Sequence, residues 1–379
     1  MGRVRFSDVV KRVNVFVDRE HTDLLYYVGG EHIDSDAFMV RKNGLIKGAT
    51  IGYKFHFGFQ PGHILFMSRN PHLRKCSMVD FAGVCSDSTY VVETRDENVL
   101  LQKYLLIEMQ SDRFWKWAEE NKSGSVNYLI NYCTLDSYEF DLPPIEEQRA
   151  VAEKLWAAND LKEKYQHLLA ATDEMLKAKF REMFGECGVQ SAEGGVVSLK
   201  DVCAILTDGT HQPPKFCDSG IPFLFVSNIK DFELTYDTDK FVTKEQYVEL
   251  NKRTPVAKGD VVLSVVGSFG NPALVKDDRP FCFQRHIAYL KPNREIVVPE
   301  YLYFVLLADS VQKQFGVVAK GCAQKTITLT DLKAITIPLP PLALQQQFVE
   351  IARKAGEMKA VLKKSITSID AVIKGLING

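Results

Sequence analysis

The side chains best able to do chemistry in this sequence are hydrogen-bond donors rather than nucleophiles or metal ligands. Gln284-Arg285-His286 sets an amide, a guanidinium and an imidazole in a row, a set suited to phosphate oxygens or to the acceptor edge of a guanine. Further polar loops surround it in the second half: Thr210, His211, Gln212 and Lys215, then Asn228 and Lys230 after an expected strand, Ser268 in a Gly-rich turn, and Lys320, Gln324 and Lys325. In the first half two basic stretches, 41–54 and 69–75, interleave cations with aromatic and imidazole rings. The candidates there are Lys47, Tyr53, Lys54, His56, Arg69, Arg74 and Lys75, with Ser123, Asn127 and Asn131 placed after a helical stretch. Mixtures of this kind suit duplex DNA, where cations contact phosphates and amides, Arg or Lys read base edges.

An ordinary structural reading stands beside several of these. His211, in the turn Asp208-Gly209-Thr210-His211, either caps and closes the loop or faces DNA. Gly267-Ser268-Phe269-Gly270 lies between strand-like segments and reads as a hairpin before it reads as a phosphate cradle. Arg285 has the alternative of a local carboxylate, a surface pairing worth little. Any single lysine of the first half is equally well explained by a solvated positive face.

Composition excludes more than it selects. The formal net charge is −1, from 47 Lys+Arg and 48 Asp+Glu, so a nucleic-acid surface has to come from local clustering. Hydrophobic residues at 46% and charged residues at 25% match an ordinary globular chain, and the 379 residues are enough for two domains. No apolar run approaches the ~20 residues of a membrane span and the first ten residues hold no signal core, so a cytoplasmic protein is expected. The cysteines (Cys76, Cys85, Cys133, Cys187, Cys203, Cys217, Cys282 and Cys322) are scattered, which predicts free thiols and no metal site. There is no GxxxxGK[ST] phosphate loop, and no Asn- or Asp-Pro-Pro-aromatic site for an amino-methyltransferase. No catalytic, cofactor or metal residue is expected in this chain.

The elements that position the polar loops occur twice. Leu142-Pro143-Pro144 with Gln148 returns as Leu339-Pro340-Pro341 with Gln345, an offset of 339 − 142 = 197. The same offset carries Pro61-Gly62 onto Lys258-Gly259, Tyr104-Leu105 onto Tyr301-Leu302, Gly124 onto Gly321, Leu135 onto Leu332 and Leu155 onto Ala352. Upstream the register slips: Arg5 to Val9 resembles Ser198 to Val202, and Tyr27-Val28 resembles Phe225-Val226. Each copy opens with about 140 residues of strand and turn signals, such as 89–92 and 261–266. Within it lies one helical stretch, 99–120 or 301–318.

After each Leu-Pro-Pro element the pattern changes to a long helix. Val151, Leu155, Ala158, Lys162, Tyr165, Leu169, Thr172, Leu176, Lys179 and Met183 step by four and three, as do Phe348, Ala352, Ala355, Lys359, Leu362, Ile366, Ile369 and Ile373. This is heptad spacing. At 1.5 Å per residue each helix runs roughly 50–60 Å. Its stripe has to be buried, either on its own globular unit or, as favoured here, against the other helix. The lysines in the stripe predict a seam that is not uniformly dry.

Gly321-Cys322-Ala323-Gln324-Lys325-Thr326-Ile327-Thr328, Leu332, and Ile337 to Leu342 with Gln345 resemble the end of a target-recognition domain in type I restriction-modification specificity subunits. The opening of that domain is resembled by Asp208 to His211, Pro214, Gly220-Ile221-Pro222 and Val226 to Ile229; Gly259 to Leu263 with Gly267 and Gly270 is a third match. In the first copy the matches are Tyr27 to Ile33, Gly83 to Ser86 with Thr89-Tyr90-Val91, and Leu142 to Ile145 with Gln148. That copy departs from the pattern at Gly124-Ser125-Val126-Asn127-Tyr128, where the Ala-Gln-Lys element is missing. Lys325 gains weight as a phosphate contact from its place in the family-like segment.

The resemblance implies an α+β chain: two mixed α/β target-recognition domains in tandem repeat, separated by two long antiparallel coiled-coil-like helices. The expected divisions are 1–144, 145–185, 186–341 and 342–379. It further implies a non-catalytic subunit whose two domains each read half of a split, asymmetric double-stranded DNA target, the helices setting the spacer. Two modification subunits that bind S-adenosylmethionine and methylate adenine, and restriction subunits driven by ATP with Mg, would dock on it, leaving no cofactor in this chain. The alternatives are the specificity subunit of a two-component methylating nuclease outside type I, or an enzyme with unrecognised catalytic residues.

Overall fold

The computed structural model describes residues 2–18, 20–48, 51–125, 128–185, 195–320 and 325–378. Its fold is α+β, with a mixed α/β module present twice and two long helices, Ile145–Phe184 and Leu342–Asn378. Two compact units divide the chain. The first holds Met1–Leu168 with Leu362–Gly379 and the second Leu169–Val361, so each unit owns one module and a segment of both long helices.

In the first unit, Gly2–Arg5 pairs antiparallel with Glu139–Leu142 directly before the long helix. A four-stranded sheet runs in the order Val10–Arg12, Thr89–Thr94, Ile64–Met67, Cys76–Met78. In the second unit the corresponding order is Cys203–Asp208, Ile287–Pro292, Val261–Ser264, Pro272–Leu274, and Val196–Ser198 pairs with Thr336–Pro338. A second sheet in each module contains a parallel pair, Tyr26–Val28 with Gly83–Ser86 and Ile221–Leu224 with Cys282–Phe283. The repeated apolar positions of the sequence are therefore repeated core positions.

Two details differ from the sequence reading. Val28 lies opposite Cys85, while Phe223 lies opposite Cys282, the residue 197 further on. Tyr27-Val28 thus corresponds to Pro222-Phe223; Phe225-Val226 instead lead into the 3-10 turn Val226–Asn228. Each expected single helix is also two, Gln102–Gln110 and Asp112–Glu120 in one unit, Pro299–Leu307 and Asp309–Val318 in the other. The breaks fall at Ser111 and Ala308, both extended and 197 apart. Ser111 restarts the helix, its Oγ accepting from the Phe114 N–H and donating to the Glu108 carbonyl.

The long-helix stripe faces inward, on the module and on the other helix together. In the first unit Val151, Leu155, Ala158, Ile369 and Ile373 join the core that contains Phe66, Leu105 and Phe114; Trp156 adds an edge contact on Phe38. Lys162 pairs with Asp370 at 2.6 Å beside half-buried Tyr165 and Ile366 and buried Leu362. In the second unit Leu176, Phe348 and Ala352 join a core built on Tyr301 and Phe315. Phe180 meets Phe348 edge-on, Lys359 pairs with Asp173, Ala355 is buried and Leu169 half-buried. Lys162 and Lys359 thus pair across the seam with partly exposed side chains, whereas the stripe's Lys179 pairs with Glu182 of its own helix.

Gln148 and Gln345 fix each module to its helix, both with no exposed surface. The Gln148 Oε1 accepts from the Leu101 N–H at 3.0 Å, and its Nε2 donates to the carbonyls of Val99 and Pro143, both at 2.9 Å. Gln345 accepts from the Val298 N–H at 2.8 Å and donates to Ile296 and Pro340 at 3.1 and 2.7 Å. All four residues of one set map onto the other at the offset of 197. Replacing either amide with Leu strands three backbone groups, at ~1–3 kcal/mol for a buried unsatisfied group. Gln148→Leu and Gln345→Leu are each expected to lower unfolding free energy by about 3 kcal/mol in chemical denaturation; a change within error of wild type would contradict this.

Candidate nucleic-acid interface

The turn Gln284-Arg285-His286 joins the strands Cys282–Phe283 and Ile287–Pro292. Backbone bonds hold it: Gln284 N donates to the Leu224 carbonyl at 3.1 Å, Arg285 N to Thr210 at 3.0 Å and Thr210 N to Phe283 at 3.0 Å. Gly209 allows this approach, since a Cβ there would lie 2.2 Å from the Phe283 carbonyl oxygen. With Thr210, His211, Pro213, Phe216, Phe223 and Phe225, the turn lines an open cleft. The carboxylate of Asp208, largely buried, takes His211 Nε2 at 2.9 Å and Arg253 at 2.5 Å. His211 therefore closes the loop with one nitrogen while its side chain, 54% exposed, still lines the cleft.

Among the described residues Arg285 makes no ion pair, so the carboxylate alternative is not realised in this structure. Burial and the Arg285 charge lower the pKa of His286, leaving its imidazole neutral at pH 7. Gln284 is half-buried with its side chain in the cleft.

In the first unit the turn Ser86-Asp87-Ser88 occupies the same place, between Gly83–Ser86 and Thr89–Thr94. The offset of 197 carries Asp87 onto Gln284 and Ser88 onto Arg285. This turn also lines an open cleft, with Gly30, Glu31, Gly52, Tyr53, Lys54, Phe55 and Arg69. Lys54 stands 3.6 Å from the Asp87 carboxylate. Tyr53 is 79% exposed, and Arg69 is exposed with no ion pair among the described residues. Beside them His56 lies parallel to the 72% exposed Phe16, centroids 5.2 Å apart, with Nδ1 3.3 Å from the Tyr53 carbonyl.

Several residues here escaped the sequence reading. Asp87, Ser88 and Glu31 drew no notice because they are neither basic nor aromatic, although the repeat offset pointed at the first two. Arg12 also went unseen, its guanidinium 4.6 Å from the Tyr90 ring, 5.2 Å from Phe57 and 5.3 Å from Tyr132.

Other candidates hold the fold together instead. Arg74 pairs with Asp36 at 2.7 Å and Asp112 at 2.6 Å and donates to the Gln110 carbonyl. Lys75 is half-buried and donates to the Gly30 carbonyl. Asn228, 4% exposed, accepts from the Phe225 N–H at 2.9 Å and donates to the Asp237 carbonyl at 2.7 Å. Each was singled out as polar in an expected loop, a pattern that buried turn-formers share. Ser268 is tied to Asn271 within its hairpin, Ser123 to Leu129 and Asn131, and Lys320 lies 3.6 Å from Asp331. Lys47, Gln212, Lys215, Lys230 and Lys325 are exposed. Asn127 and Gln324 lie outside the described residues.

Residues 193–370 match the family model of the type I restriction modification DNA specificity domain. The chain is 24% identical over 343 residues to the EcoBI specificity subunit of Escherichia coli, covering 78% of this chain and 70% of that one. It is 22% identical over 313 residues to the MjaVIII specificity subunit of Methanocaldococcus jannaschii, covering 78% and 73%. The second module and most of the helix after it are thus similar to the DNA specificity domain of type I restriction-modification systems. Among solved structures, the S subunit from M. genitalium superposes with a TM-score of 0.63 at 15% identity, over 99% of this chain and 94% of that one. A chain from a type I R-M system studied for its complex assembly and conformational transition gives 0.58 at 20%, over 99% and 96%. The specificity-domain match falls on the second module; the likeness of fold extends through the first.

No described group of three His, Cys, Asp or Glu is placed to hold a metal, and no described helix is long and apolar enough to cross a membrane. Asn228→Ala is expected to cost about 2 kcal/mol of stability through its lost buried bonds, read as a lower melting temperature. An unchanged melt with impaired DNA binding would instead make Asn228 a contact residue.

Proposed function

We propose that this chain is the DNA-reading subunit of a type I restriction-modification enzyme, binding a bipartite asymmetric duplex, one half to each module. One observation carries the reading: the same turn of the same module lines an open cleft twice, and its polar residues differ between the copies. A shared frame with different contacts suits two different half-sites. Thr210, His211, Gln284 and Arg285 are the base-edge candidates of the second module, with Lys215, Lys230 and Lys325 toward phosphate. Tyr53, Lys54, His56, Arg69 and Lys47 form the corresponding set of the first.

On this proposal the chain is non-catalytic and works in the cytoplasm as a scaffold. Two modification subunits bring S-adenosylmethionine, and restriction subunits bring ATP and Mg. Apolar residues left exposed on the long helices favour docked partners: Leu161, Leu168, Val372 and Leu376 in the first unit, Met175, Met358 and Val361 in the second. The helices then set the half-site spacing.

Methylome sequencing of a methylation-free host expressing the chain with its modification subunit is expected to show one bipartite motif methylated on adenine. Methylation at a short continuous palindrome would overturn the two-reader proposal.

A further inference from the structure

The two clefts carry opposite hydrogen-bonding character at the same turn of the module, at neighbouring rather than identical positions. In the second, Arg285 projects from a turn pinned by three backbone bonds. The nearby carboxylate, Asp208, is already taken by His211 and Arg253. The guanidinium thus has donors to spare and no acceptor on the described protein. Its surroundings are the neutral His286 and the rings of Phe216, Phe223 and Phe225, none of which offers it a charged acceptor. The major-groove edge offering two adjacent acceptors to a guanidinium fork is that of guanine, through O6 and N7.

At the same turn the first cleft presents Asp87, with Glu31 across it. An ionised carboxylate only accepts, so it suits a base that shows an amino group in the major groove, N4 of cytosine or N6 of adenine. A carboxylate facing a polyanion also needs its charge offset. Lys54, 3.6 Å from Asp87, and Arg69 in the same cleft do this. Without them the carboxylate would repel the duplex.

Resting on the DNA-reading function proposed above, we infer that Arg285 specifies a guanine in one half-site, and that Asp87, at the matching turn, specifies an amino-bearing base in the other. Arg285 and Asp87 are then specificity-determining residues of the two modules.

The test is the methylome motif of wild type, Arg285→Ala, Arg285→Lys and Asp87→Asn chains, each expressed with the modification subunit. Arg285 is exposed and Asp87 half-buried, and melting curves check that each variant folds. Arg285→Ala and Arg285→Lys are expected to relax one guanine of one half-site, with discrimination falling on the order of tenfold or more. Lys keeps the charge but loses the fork. Asp87→Asn is expected to relax a cytosine or adenine in the other half only. A uniform drop in methylation with an unchanged motif would make Arg285 a phosphate contact and overturn the inference while the two-reader function stands. Changes by both residues in the same half would overturn it too. A wild-type motif that is not bipartite would overturn the underlying function, and the inference with it.

Discussion

A single buried amide at the start of each long helix is the contact on which the rest of each unit depends. Gln148 joins the first turn of its helix, through Pro143, to the segment that leads into the module's helix pair, through Val99 and Leu101. Gln345 does the same with Pro340, Ile296 and Val298. Three directional bonds to a fully buried side chain fix orientation as apolar packing alone does not. Leu155 and Trp156 in one unit, and Phe348 and Ala352 in the other, then enter their module's core at a set angle.

Between the copies, the main sheet and its anchoring to the long helix are constant while the second sheet and the cleft turn vary. The strand order of the main sheet, the helix break at Ser111 and Ala308, and the glutamine latch all repeat. Asp87-Ser88 against Gln284-Arg285 does not. Loops on a rigid scaffold change without cost to the core, so a module can acquire a new reading surface while its docking to the helix is kept. On the proposed function, this division of labour lets one duplicated fold carry two different reading surfaces.

The duplication and the long helices were legible in the sequence because each rests on periodicity. Heptad spacing maps onto a stripe that is buried or half-buried throughout, and apolar positions repeat at 197. What escaped was decided by hydrogen bonds. Asn228 and Arg74 look like loop donors until their partners Asp237, Asp36 and Asp112 are seen. Tyr27-Val28 was matched to the wrong pair because two short apolar strands are interchangeable by composition, and only the pairing of Val28 with Cys85 and Phe223 with Cys282 sets the register. Asp87 lay hidden because a carboxylate argues against DNA until Lys54 is found beside it.

The most direct test of two modules reading two half-sites is hydroxyl-radical footprinting of the assembled methyltransferase on a duplex carrying its methylated motif. Two protected tracts separated by an accessible spacer are predicted, and an exchange of residues 195–341 for the module of a similar specificity subunit should move one tract and leave the other. A single continuous tract, or a shift of both tracts after the exchange, would contradict the account.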